Sequence, residues 1–257
     1  MDNKNEIKLE HKVMRAELDS ILKSEAPKVC KFLDECLSHM LRYLNKKQCP
    51  VTDKSSENEE IVERANLVSA KGQEGVKCSL LISADELKCI EINYKPTPRH
   101  NNYIYKSKEE CSWKLYQISN CSDILKSILL YLNNNTSFKS LDQACLYFDH
   151  LTELISQARN ILIFPKKWNV AELQGQKNMK IFPLVPNDMV FSFYVQGFKL
   201  ILAIYLIKGT ESTKHILEST SVNWLNNVMI LLDVCLQKMQ QMKDKLSYFE
   251  QIEMPDE

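Results

Sequence analysis

The sequence predicts an α+β protein that is mainly α: an elongated antiparallel helical bundle pairing its N- and C-terminal helices, with a small antiparallel β-meander domain inserted after the first helix. Three observations predict it. Apolar residues recur at steps of three and four over residues 14–44 and again over 225–249, the spacing that gathers one side of a helix. Between residues 61 and 106 the pattern changes to short β-branched and aromatic runs separated by turn residues, which read as strands. Only five glycines occur in 257 residues, too few to favour the phosphate-cradling loops of nucleotide-binding α/β folds.

The first helix carries apolar residues at 14, 18, 21, 22, 29, 32, 33, 36, 37, 40, 41 and 44. It kinks or restarts at Pro27, because proline lacks the N–H and its ring crowds the preceding turn. Residues 49–58 form a polar loop. Four strands follow at 61–69, 76–83, 87–95 and 102–106, and alternation at Val76, Cys78, Leu80 and Ile82 puts those side chains on one covered face. Helical spacing resumes near Trp113 and runs through Ile118, Cys121, Leu125, Ile128 and Leu132. Ser140 starts another helix, Pro165 closes it, and so short a connection implies antiparallel packing. Residues 165–186 read as a loop. Pro186-Asn187-Asp188 then starts, and Gly209 ends, a very apolar helix over 189–207. The domains expected are a discontinuous helical bundle over 1–48 plus 109–257 and a four-stranded antiparallel β domain over 59–107.

Ser219, Thr220 or Ser221 caps the last helix, which carries Leu225, Val228, Leu232, Cys235, Met239, Met242, Leu246 and Phe249 with no charge among them. This is a heptad seam. At roughly 1.5 to 3 kcal/mol per buried side chain, leaving it in water forfeits on the order of 10 to 20 kcal/mol gross, more than a domain's net stability. The helix must pair, either with the N-terminal helix of its own chain, which supplies a matching stripe, or with a second copy.

Composition narrows function by exclusion. Thirty-three basic residues balance thirty-three acidic ones, so the basic surplus that serves nucleic-acid binding is missing. Nine scattered cysteines and an N-terminus without an apolar core read as free thiols in a reducing compartment. Lys199 splits residues 189–207 into uncharged runs of ten and eight, too short for the ~20 residues of a membrane span. Cys30, Cys36 and His39 resemble a metal cluster, but Cys30 lies about 120° around a helix from Cys36, and two ligands do not close a zinc site. Cys111 and Cys121 are ~15 Å apart along a helix. No phosphate-loop, dinucleotide, nucleophile-elbow or zinc-protease motif occurs. Neither catalytic, metal nor cofactor-binding residues are therefore assigned. Lys166, Lys167 and Trp168, with Lys177 and Lys180, form the basic-aromatic stretch suited to an acidic partner, against the plainer reading of a solvated loop. Lys243, Asp244 and Lys245 read as a solvated helix face.

A family pattern emerges from many modest matches in series. Trp113-Lys114-Leu115 with Gln117-Ile118, Ala158-Arg159-Asn160, Phe182-Pro183, Pro186 and Asp188, Tyr194, Lys199-Leu200, Tyr205, Trp224-Leu225-Asn226, and Gln241 with Lys243-Asp244-Lys245-Leu246 together resemble the Rogdi family, in order, from about Glu17 to Phe249. The resemblance implies a non-enzymatic, leucine-zipper-containing scaffold without cofactors. It implies membership in the metazoan RAVE-like complex, with large WD-repeat proteins as partners and, through them, the vacuolar proton-pumping ATPase, whose assembly and organelle acidification the complex promotes. The expected location is cytoplasmic, peripheral to endosomal or synaptic vesicle membranes, with a nuclear or nuclear-envelope pool left open. The alternative is a coiled-coil homodimer serving another trafficking or nuclear complex through the same seam.

Overall fold

The long opening helix forms in two pieces. In the computed structural model, α1 (Asp2–Ser20) and α2 (Ala26–Leu44) are joined by a π turn over Ile21–Glu25. Pro27 sits just past that turn, where an α-helical path would press its ring onto the Lys23 carbonyl. The wider turn, in which the Ala26 N–H donates to the Ile21 carbonyl, takes up the crowding. The structure describes residues 2–45, 62–68, 75–96, 101–108, 112–134, 137–166, 171–172, 181–208 and 211–251. The expected loop 49–58 lies outside them.

The remaining elements are β1 (Glu63–Val68), β2 (Gly75–Ser83), β3 (Glu86–Lys95), β4 (Tyr103–Ser107), β5 (Trp113–Lys114), α3 (Tyr116–Asn134), α4 (Leu141–Ile163), β6 (Ile181–Phe182), β7 (Met189–Gln196), β8 (Lys199–Lys208), β9 (Glu211–Ser221) and α5 (Asn223–Glu250). Two compact units divide the chain: a helical one made of 1–41, 123–158 and 230–257, and a second made of 42–122 and 159–229.

The expected fold class is wrong. Instead of a mainly helical bundle with a small meander, the described residues carry nine strands in two antiparallel sheets beside the helices. The expected domain boundaries shift with it, since residues 189–221 are strands that join the meander's unit. One sheet has six strands, in the order β1-β2-β3-β4-β6 with β5 on β3; the other is β7-β8-β9. The four expected strands are present, and Val76, Cys78, Leu80 and Ile82 are all buried. Residues 165–186, read as a loop, contribute β6, paired through Phe182 to Lys106 of β4.

The largest departure is the expected helix over 189–207, which is a β-hairpin. Gln196 pairs with Lys199 across a two-residue turn, and Gly197 takes a φ of +65° at its first position, the conformation such turns give to glycine. The run reads as a buried helix because the strands are covered on both faces. Phe191, Phe193 and Val195 are buried on one side of β7, Val190 and Ser192 on the other, and Leu200 to Ile204 are all buried on β8. A strand covered on both faces shows no alternation. Pro186 and Asp188 accordingly start a strand: the Met189 N–H donates to Pro186 at 3.0 Å, and the Ile207 N–H to Asp188 at 2.7 Å.

The two sheets meet through aromatic rings, Tyr105 against Phe191 at 5.1 Å and Trp113 against Phe193 at 5.4 Å, both edge-on. Trp113 therefore anchors a strand rather than a helix start. Ser219, Thr220 and Ser221, expected as caps, belong to β9. The last helix begins at Asn223, whose backbone N–H donates to both carboxylate oxygens of Glu63 on β1, at 3.2 and 3.3 Å. A carboxylate there suits the positive end of the helix dipole. Ser140 does cap α4, accepting the Gln143 N–H at 3.2 Å.

Candidate functional site

All eight seam residues are buried. From Leu232 onward they lie in the helical unit, and none of the eight exceeds 3% exposure. Across from them α2 presents Val29, Leu33, Leu37 and Met40, also buried. Two polar contacts fix how the helices run. Lys245 of α5 pairs with Glu25, which closes the π turn just ahead of α2, and the thiols of Cys235 and Cys36 lie near enough for each to shift the other's pKa. Moving from Glu25 forward to Cys36 moves the partner from Lys245 back to Cys235, so the two helices are antiparallel and paired within one chain.

The other helices complete the unit by similar contacts. Tyr131 of α3 stacks on Tyr147 of α4 at 4.9 Å and meets His150 edge-on at 5.0 Å. Phe138 packs against Tyr147 and Phe148. The Cys30 thiol reaches the Tyr147 hydroxyl at 4.0 Å, and burial pushes both groups upward in pKa. Lys243 bridges α5 to Asp149 of α4 at 2.5 Å. The Lys243-Asp244-Lys245 stretch, expected as a solvated face, thus supplies ion pairs to two neighbouring segments.

A cleft of about 200 Å³ opens between α4 and α5, lined by Cys145, Asp149, Gln240, Lys243, Asp244 and Glu250 among others. Asp149 holds Lys243 in an ion pair, and Gln240 donates to Asp244 at 2.7 Å. Burial, reinforced by the Glu250 carboxylate, pushes the Cys145 thiol up to about 12, which removes its thiolate character at neutral pH. The cleft therefore combines an ion pair with a thiol whose pKa is raised.

The metal cluster weighed in the sequence does not assemble. Cys30 faces Tyr147, Cys36 faces Cys235, and His39 is exposed. No group of three metal-binding side chains occurs among the described residues. Cys121 is buried, while Cys111 lies outside the described residues. Of the basic-aromatic stretch, Lys166 is exposed and pairs with Glu172 at 2.7 Å; Lys167, Trp168, Lys177 and Lys180 lie outside the described residues. No described helix is long and apolar enough to cross a membrane.

A residue whose role the sequence did not disclose is Gln117, in the first turn of α3. Its side-chain carbonyl accepts the Val195 N–H at 2.8 Å, while its amide nitrogen donates to the Val195 and Ile161 carbonyls, each at 2.8 Å. The amide stands in for a neighbouring strand at the outer edge of β7, and it also ties the end of α4. A glutamine beside an isoleucine gives no periodic signal, so only its place in the family pattern marked it. Trp224, near the start of α5, is buried with its indole N–H without a partner among protein atoms.

Comparison with known proteins adds the remaining finding. Residues 18–252 match the family described as Rogdi leucine zipper containing protein. The chain is similar to Protein rogdi of Drosophila melanogaster, 29% identical over 205 residues that cover 71% of this chain and 75% of that one. It is also similar to the Protein rogdi homolog of Danio rerio, 24% identical over 274 residues covering 93% and 94%, and to that of Homo sapiens, 26% identical over 218 residues covering 71% and 76%.

Proposed function

Because the chain belongs to the Rogdi leucine zipper family, we propose that it is a non-enzymatic scaffold subunit of a RAVE-like complex that promotes assembly of the vacuolar proton-pumping ATPase and so organelle acidification. The observation that carries this reading is the family match, which spans both the helices and the sheets. The geometry supports it in one respect: the zipper is spent internally, so any docking must use the remaining helix and sheet surface, which exposes Leu130, Leu146 and Phe182 among its polar residues. Large WD-repeat proteins are the proposed direct partners, and neither a cofactor nor nucleic acid enters. The proposed location is cytoplasmic, peripheral to endosomal or synaptic vesicle membranes through those partners.

Depletion in cells tests it. The expected result is a higher luminal pH in endosomes, a larger unattached pool of the ATPase cytosolic sector, and recovery of WD-repeat proteins with the tagged chain. Unchanged pH and unchanged sector attachment in a clean knockout overturn the proposal. A coiled-coil homodimer has no observation in its favour, since its seam is occupied within the chain and a dimer would need another surface.

A further inference from the structure

The open face of the six-stranded sheet is charged in a way that the chain's overall neutrality conceals. Arg64 on β1, Lys77 on β2, Lys88 and Lys95 on β3 and Lys106 on β4 all turn away from the core. The register puts them on one face: Arg64 lies opposite Leu81 and Leu81 opposite Lys88, while Lys77 lies opposite Asn93 and Asn93 opposite Ile104. Two carboxylates share the face and each has a cation across from it, Glu91 pairing with Lys106 at 3.2 Å and Glu86 lying opposite Lys114. Arg64, Lys77 and Lys95 have no ion-pair partner among the described residues. Ile104 and Phe182, the latter opposite Lys106, are exposed on the same side, Phe182 at 67%. We propose that this face binds an anionic phospholipid bilayer directly, with its cations on the headgroups and Ile104 and Phe182 at the acyl boundary.

Three features select a lipid surface over a small anion or a protein. The cations are spread over four adjacent strands, which at about 4.8 Å per strand distributes them across roughly 15 Å of continuous sheet, a match for a plane of headgroups rather than for one phosphate. All but Arg64 are lysines. Lysine is depleted at the centres of protein interfaces, where arginine is favoured, but its flexible point charge serves a diffuse negative field that demands no fixed geometry. The apolar side chains stand in the same rows as the lysines, whose stems can lie along them while the ammonium groups stay at headgroup level. Each cation brought close to an anionic membrane gains about fivefold in partitioning, so three unpaired ones together supply on the order of a hundredfold. The contact is made by the chain itself and does not pass through the partners proposed above.

Sedimentation of the full-length chain with vesicles tests this, using phosphatidylcholine alone or mixed two to one with phosphatidylserine. The expected result is recovery with the phosphatidylserine vesicles only, and release as added salt screens the headgroup charge. The combined variant Arg64→Glu, Lys77→Glu, Lys95→Glu should bind at least about a hundredfold more weakly. Its circular dichroism and urea midpoint should stay those of the wild type, because none of the three side chains is buried. Phe182→Ser should weaken binding less and leave its salt dependence in place. Equal recovery with both vesicle types, no recovery with either at low salt, or undiminished binding by the combined variant overturns the proposal. Capture on immobilised polyglutamate without vesicle binding, lost in the same variant, overturns it as well and gives the face to an acidic protein segment.

Discussion

The α5 seam and the β7–β8 hairpin are about equally apolar, yet one is plain in the sequence and the other reads as the wrong element. In α5 the buried residues fall at steps of three and four because Asp233, Lys238, Gln240 and Asp244 between them face water. In β7 the side chains from Met189 to Phe193 are all buried, whichever way they point. Periodicity is a record of solvent on one side. Where solvent is absent from both, sequence keeps the hydrophobicity and loses the geometry.

The largest expected effect probes the seam. Leu232→Asp places a carboxylate at a fully buried position with no cation provided, and should cost about 4 kcal/mol or more. Chemical denaturation followed by helical circular dichroism would show the helical transition moved to low denaturant. A loss below about 1 kcal/mol would mean that the seam is exposed in solution.

The second sharpens the contrast between sheets. Ser192 is buried on β7 although the alternation rule would turn either it or its neighbour outward. Ser192→Asp and Phe193→Asp should therefore both destabilise, each by about 3 kcal/mol. Lys77→Glu, on the exposed face of β2, should change stability by less than about 0.5 kcal/mol. If either β7 substitution is as silent as the β2 control, one face of the hairpin is open.

Gln117→Ala comes third. It strands the Val195 N–H and carbonyl at the edge of β7, a loss of about 2 kcal/mol. Gln117→Glu should recover only part of it, because a carboxylate accepts the Val195 N–H but cannot donate to the two carbonyls. Equal stability of the Ala and Glu variants in urea titrations would dissociate the amide from edge protection.

The mildest effect is a slope. Burial pushes the thiols of Cys78 and Cys121 from 9.0 up to about 12. Each holds its proton more tightly folded than unfolded, so its stabilisation is complete below pH 9 and is lost as pH rises through 12. Each thiol should contribute a decline of up to about 1.4 kcal/mol per pH unit in that window. Cys78→Ala should flatten the alkaline slope of the denaturant midpoint; an unaltered slope would show that this thiol ionises as freely folded as unfolded.

How much of the fold was legible follows the same boundary. The opening helix, the four meander strands, the Ser140 cap and the α5 stripe were all readable because each has one wet face or a local cap. The π turn was half visible, as Pro27 flagged a break without saying how the backbone would absorb it. The hairpin carried one overlooked sign, Gly197 in the middle of a supposed helix. The partners of Gln117 and Glu63 were not legible, since each acts on a residue far away in sequence and no local pattern records such a meeting. The interaction surface stays as the family resemblance left it, because partner recognition leaves no period.

Zero-length carbodiimide cross-linking of an equal mixture of unlabelled and 15N-labelled protein tests the central pairing most directly, by joining the Glu25 carboxylate to the Lys245 amine that faces it. If the zipper closes on its own chain, the joined peptides carry both halves light or both halves heavy. Light–heavy hybrids at the level of random mixing, or no Glu25–Lys245 linkage at all, would contradict it.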